Sequence, residues 1–253
     1  MAREFETGTY RMVLAQSVSR PRWLAVKLAV VTAAGLAVAG LCSLLLTWSA
    51  GPVDDLAGNR FGALSFGSRD VAPLGYAAFA LALGTAVGLV VRRTLPAMAV
   101  TLAVFAVLQV AMPLAIRQHF VPPLTASVAV SDEALERADG IGVKAPGPDS
   151  VTPDTPVVVN RYSVPGAWVL SSESRMVDPS GRPVDATKAQ DCFTGAGPRG
   201  AAGCLAAMGL HFDVTYQPGS RYWLFQGIET SIFTGLALLL AGFSLWRVRR
   251  SLG

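Results

Sequence analysis

The sequence holds little with which to do chemistry. It has two histidines, His119 and His211, and three cysteines, Cys42, Cys192 and Cys204. It contains no Gly-x-x-x-x-Gly-Lys-Ser/Thr phosphate loop, no His-Glu-x-x-His and no Cys-x-x-Cys. No catalytic residue, resident metal or cofactor is therefore expected, and His119 reads as an interfacial polar residue. Charge is sparse too, at 15% of residues. The pI of about 9.2 comes from arginines clustered beside apolar runs, a pattern that suits anionic lipid headgroups and gives no reason to expect nucleic acid.

What is plentiful is apolar length. The hydrophobic fraction is 52% and the mean hydropathy +0.45. A helix needs roughly 20 apolar residues to cross a hydrocarbon core about 30 Å thick, where no water can satisfy the backbone. Four segments qualify: 24–48, 71–91, 95–115 and 223–246. Trp23, Trp48, Trp223 and Trp246 stand at the ends of the first and last, where indoles favour the headgroup layer. A cleaved signal peptide is the competing reading of the first run, but its core is long for one and Glu4 and Glu6 are unusual before it.

Positive charge orients the spans. With the N-terminus inside, the inner segments collect Arg3, Arg11, Arg20, Arg22, Lys27, Arg92, Arg93, Arg247, Arg249 and Arg250. Both termini are then expected in the cytoplasm and the chain in a plasma membrane as a multi-pass protein. The fold expected is mainly α: a polytopic bundle of four transmembrane helices, with a small α+β extracellular domain between the third and fourth. The expected divisions are a cytoplasmic amphipathic segment 1–22, three spans within 23–116, the outer domain 117–221, and the last span with its basic tail, 222–253. Arg92-Arg93-Thr94 makes a tight turn between antiparallel neighbours; Pro96 fits the first turn of the third span and Pro113 bends or ends it.

In the outer domain Ser131 is placed to cap a helix over 132–138, residues 140–156 read as a Gly- and Pro-rich loop, and 157–159, 167–170 and 211–216 read as strands. Cys192 and Cys204 lie on the side of the membrane where disulfides persist, so either they are bridged or they are two buried thiols. Within the membrane, Glu229 is the one carboxylate, with Gln226 a turn before it on the same face. Either it faces protein or water, with Gln109 as a possible partner, or it snorkels to the outer headgroups. Gly84 and Gly88 form a Gly-x-x-x-Gly face suited to close helix packing, within the chain or between copies.

The N-terminal stretch carries a second pattern. Tyr10, Val13, Leu14 and Val18 recur at helical spacing with acids before them, and Ser19 with Pro21 separates that short helix from the first span. It reads as an amphipathic helix along the inner surface, at its simplest an anchor. Glu4, Glu6, Gly8, Thr9, Ser17, Ser19, Arg20, Leu24 and Lys27 are arranged as in the cytoplasmic coupling segment of another group of proteins. The run Tyr216-Gln217-Pro218, Arg221-Tyr222-Trp223, Phe225-Gln226 and Ile228-Glu229 matches the start of that group's last span. On these two motifs the chain resembles type-2 ATP-binding-cassette (ABC) transporter permeases, particularly an actinobacterial exporter-like subfamily.

The resemblance implies a permease subunit of an ATP-driven exporter that conducts but does not hydrolyse. Separate cytoplasmic ABC ATPase subunits would bind the ATP, and contact would run through Glu4, Glu6, Thr7, Gly8, Thr9 and Arg11. A second permease copy or homologue and membrane lipids are the other expected partners. Such permeases usually have six spans, with the coupling segment between the second and third. Two spans are thus expected upstream of the present start or on a partner. The alternative is a membrane-anchored extracellular binding or sensing protein without transport. A membrane-embedded enzyme would need His211, Glu229 and a bound metal or cofactor together in one cavity.

Overall fold

The computed structural model describes residues 20–57, 60–145 and 150–251. The N-terminal stretch through Ser19, with the expected contact residues Glu4, Glu6, Thr7, Gly8, Thr9 and Arg11, lies outside them. The chain forms two compact units, a helical one of residues up to 56 with 62–120 and 222–253, and a second one of residues 57–61 and 121–221.

Among the described residues, the helical unit contains four helices long and apolar enough to cross a membrane. These are α1 (Arg20–Ala57), α3 (Ala72–Val91), α4 (Thr94–Ala111) and α7 (Tyr222–Ser251), with a short α2 (Ala63–Ser68) between the first two. All four expected spans are therefore helical. The first of them extends past its expected end at Trp48: α1 runs on to Ala57 and α2 follows. The Arg69–Asp54 ion pair, at 2.9 Å, joins that extension of α1 to the residue that follows α2.

α3 is central. Gly35 and Gly40 of α1 approach Leu81 and Leu74, and Leu24 clusters with Leu89, so α1 runs antiparallel to α3. Against α7 the register is parallel, from Ala72 with Gln226 at one end to Leu89 with Val248 at the other. At Gly75 a Cβ would lie 3.1 Å from Thr230 Cα and carbonyl oxygen, so two backbones approach closely and even a methyl would have to push them apart by a few tenths of an ångström. The Gly-x-x-x-Gly face packs within the chain: Gly84 faces Thr101 and Gly88 is buried. Arg92 turns the chain in the left-handed region, with φ 56°, and α4 begins at Thr94.

α4 does not end cleanly. Pro113 has no N–H to give the carbonyl of Gln109, and the helix widens into a π turn over Met112–Ile116, closed by Arg117 N–H on the Met112 carbonyl. A single 3₁₀ turn, Arg117–His119, finishes it. Pro113 is expected to bend or end this helix, and the α-helical winding does end beside it, at Ala111; the imidazole of His119 bonds the Ala115 carbonyl of its own turn at 2.8 Å.

The second unit is a six-stranded antiparallel sheet with helices. Its strands are β1 (Leu124–Ala129), β2 (Gly140–Val143), β3 (Val157–Asn160), β4 (Trp168–Val169), β5 (Glu173–Val177) and β6 (His211–Gln217); α5 (Asp132–Glu136) and α6 (Ala186–Ala207) accompany them. The order is β1-β6-β5-β3-β2, with β4 paired to the far end of β6. Its core is built on Phe212, Met176, Leu205 and Val159, and Tyr162 meets Phe212 edge to face at 5.2 Å. Ser131 caps α5 as expected, accepting from Ala134 N–H at 3.1 Å. The Gly-rich run expected as a loop is partly strand, because β2 is held by its backbone ladder to β3 and needs few side chains.

Cys192 and Cys204 are bridged, with Cα atoms 5.7 Å apart. Both belong to α6, where a straight helix would separate them by about 18 Å. The helical segment therefore folds back on itself between them, and the bridge fixes the reversal. Cys42 is free and exposed on α1.

Candidate functional site

Buried polar groups of the helical unit gather where α1 and the π turn of α4 end and α3 and α7 begin. The α7 helix contributes Tyr222, Gln226 and Glu229, spaced four and three residues apart and so on one face. All atoms of Gln226 and Glu229 are shielded from solvent. An exposed carboxylate on a lipid face would be expensive, and a buried one is tolerated only with partners.

Glu229 has two. Arg117 Nε donates to its Oε2 at 2.9 Å and Arg117 Nη2 to its Oε1 at 3.1 Å, a forked pairing that uses both carboxylate oxygens. The Tyr76 hydroxyl donates to Oε1 as well. The guanidinium carbon sits 3.9 Å from the centroid of the Phe66 ring, which covers one face of the cation. Arg117 Nη1 has no hydrogen-bond partner among the described residues.

Gln226 joins backbone to backbone. Its Oε1 accepts from Ala72 N–H at 2.8 Å, satisfying an orphan donor in the first turn of α3. Its Nε2 donates to the Phe66 carbonyl at 3.0 Å and to the Tyr222 hydroxyl oxygen at 3.1 Å. That hydroxyl donates to Asp70 Oδ2 at 2.5 Å. Asp70 is itself tied to α1: Ser43 donates to its carbonyl at 2.7 Å, and its N–H reaches Thr47 Oγ1 at 3.3 Å. Asp70 adopts φ 61°, so both contacts hang on a left-handed turn. One network thus runs from α1 through Asp70, Tyr222 and Gln226 to the start of α3, beside the Tyr76–Glu229–Arg117 cluster.

The arrangement can lock four helices together at one end through opposite charges and directional hydrogen bonds. Glu229 and Gln226 are brought into it as the sequence suggested, and the snorkelling alternative for Glu229 is excluded by its burial. Gln109 is not its partner. It is half-buried on α4, and the π turn sets Arg117, not Gln109, against Glu229.

Reasoning from the sequence missed Arg117, Tyr76, Asp70 and Tyr222. The signal for Arg117 was its place directly after a span, since an intramembrane carboxylate needs a cation within reach. For Tyr76 there was less: a lone hydroxyl-bearing ring in an apolar run.

Residues 1–117 match the family model described as ABC-2 membrane transporter related. The matched stretch takes in α1, α3, α4, Tyr76 and, at its last position, Arg117; Glu229 lies beyond it. It supports an ABC-2-type permease in a multi-pass membrane setting, and permeases of that type work in general with ABC ATPase partners. No curated protein and no solved structure matches the chain.

Proposed function

We propose that this chain is the membrane-spanning subunit of an ATP-driven exporter, moved by a separate ABC ATPase through the residues that precede α1. The match of residues 1–117 to an ABC-2 transporter model is the observation that carries the reading. Two structural features support it. First, α1 is one continuous helix of 38 residues, about 57 Å long at 1.5 Å per residue, and therefore suited to carry a displacement from one end of the bundle to the other. Second, its far half is hydrogen-bonded through Ser43 and Thr47 to Asp70, and so to the buried network.

In this mechanism the ATPase binds and hydrolyses ATP while the permease does no chemistry of its own. Contact at Glu4, Glu6, Thr7, Gly8, Thr9 and Arg11 shifts α1, and the network at the other end converts that shift into a change in how α3, α4 and α7 pack. Glu229, paired with Arg117 and Tyr76, is the joint. Both termini are cytoplasmic and the second unit is extracellular, in keeping with the distribution of Lys and Arg.

Affinity purification of the full chain from its native membrane tests this. The expected result is an ABC ATPase that co-purifies with wild type and is lost with Gly8→Trp or Glu6→Arg. Absence of any ATPase with wild type would overturn the reading. The separate core and disulfide of the second unit would then favour a membrane-anchored binding protein.

A further inference from the structure

Between α1 and α4 lies a groove whose floor is α3. Its volume is about 540 Å³, within the usual range of small-molecule sites. Leu28 and Val31 form one wall, Met98 and Phe105 the other, and Ala80 and Gly84 the floor. Two of the hydroxyls that reach it are committed to their own helices: Thr85 donates to the Leu81 carbonyl and Thr101 to the Ala97 carbonyl, each at 2.8 Å. The interior therefore offers an occupant mostly apolar surface.

At one end the character changes. Lys27 lines the groove and also lines a second cavity of about 440 Å³, shared with Arg22, Trp23 and Val26. The Lys27 ammonium stands 5.0 Å from the Trp23 ring centroid, at the junction of the two. Arg92 and Arg93 are exposed at the α3–α4 turn, directly before Thr94, which also lines the groove. Among the described residues, no acidic side chain lines either cavity. An apolar trough with basic side chains at one open end complements a molecule with a hydrocarbon tail and an anionic head.

We propose that this pair of cavities is a binding site for an anionic phospholipid, with an acyl chain in the α1–α4 groove and the phosphate at Lys27 and Arg22. The site is distinct from the Glu229 cluster, and it does not depend on the exporter reading. The lipid fills the gap between α1 and α4 and braces α1 against the rest of the bundle.

Native mass spectrometry of the detergent-purified full chain, given equal phosphatidylglycerol and phosphatidylcholine of matched acyl chains, provides the test. Wild type is expected to retain one phosphatidylglycerol in preference to phosphatidylcholine. Lys27→Gln should cut that preference about five-fold, the effect of one basic residue at a membrane surface, and Lys27→Arg should restore it. Gly84→Leu, which fills the floor, should lose both lipids. Should that variant fail to fold, Met98→Trp narrows the mouth from an exposed position and should do the same. Equal retention of the two lipids by wild type, or an unchanged preference in Lys27→Gln, overturns the proposal. So does a cysteine at position 98 that cross-links to another copy across the groove, since a helix would then occupy it.

Discussion

Arg117 and Glu229, 112 residues apart in the chain, form a two-pronged ion pair sealed from solvent between α7 and the end of α4. Burying both charges costs desolvation energy that their attraction only partly offsets, so the pair contributes more to the choice of arrangement than to net stability. Breaking it from one side is a different matter, because the surviving charge is left buried.

Glu229→Leu and Arg117→Met, taken singly, are each expected to destabilise the helical unit by about 3 kcal/mol or more. The double replacement Arg117→Met with Glu229→Leu should recover most of that loss. Thermal unfolding in detergent, arranged as a double-mutant cycle, measures the coupling. Additive losses would show that the two side chains do not work as a pair.

Gly75→Ala should be costly where Gly84→Ala is not. A Cβ at position 75 meets the backbone of Thr230 at 3.1 Å, which cannot swing aside, whereas one at position 84 makes an ordinary 3.7 Å contact with Thr101 Cγ2. Overpacking of that kind costs about 1–3 kcal/mol. The same unfolding assay should register a clear fall in midpoint for the first variant and little change for the second.

Removing the bridge by Cys192→Ser with Cys204→Ser is expected to lower the stability of the sheet-containing unit by about 3 kcal/mol in the chain-entropy picture. Reductant should produce the same shift in wild type and none in the double variant. Hydrogen exchange over residues 186–207 localises the effect.

Two carboxylates outside the spans give the sheet-containing unit an acid limit. The Ser180 hydroxyl, then the Arg182 backbone N–H, hold Asp178 below its usual range, and the Thr187 hydroxyl does the same for Asp185, which caps α6. A pKa depressed by folding contributes stability that is present above the unfolded value of about 3.9 and is lost as pH falls through the lower folded value. The unfolding midpoint of this unit should therefore drop below about pH 4. Asp178→Asn and Asp185→Asn should each flatten that drop.

Much of this was readable in advance. Four apolar runs become four helices because the backbone must satisfy itself in a bilayer, whatever surrounds it. The Ser131 cap, the Arg92-Arg93 turn and the three β-branched or alternating strands follow from local rules of the same sort. β1, β2, β5 and α6 did not announce themselves. The three strands owe their form to ladders with β6 and β3; α6, rich in Gly and Ala, is held by packing on the core and by a covalent bridge.

The sequence by itself determined that the chain holds four helices long and apolar enough to cross a membrane, and that Glu229 needs an answer. Only the tertiary structure decided what that answer is. In an unbroken α4 helix, Arg117 would share a face with Val110 and Leu114, both exposed. The π turn at Pro113 adds a residue to the winding and brings Arg117 into phase with Phe105, Leu108 and Met112, the face packed against the core. A residue's facing along a helix is cumulative, so one irregular turn redirects everything after it, and no count of sequence spacing contains that turn until the neighbouring helices fix it.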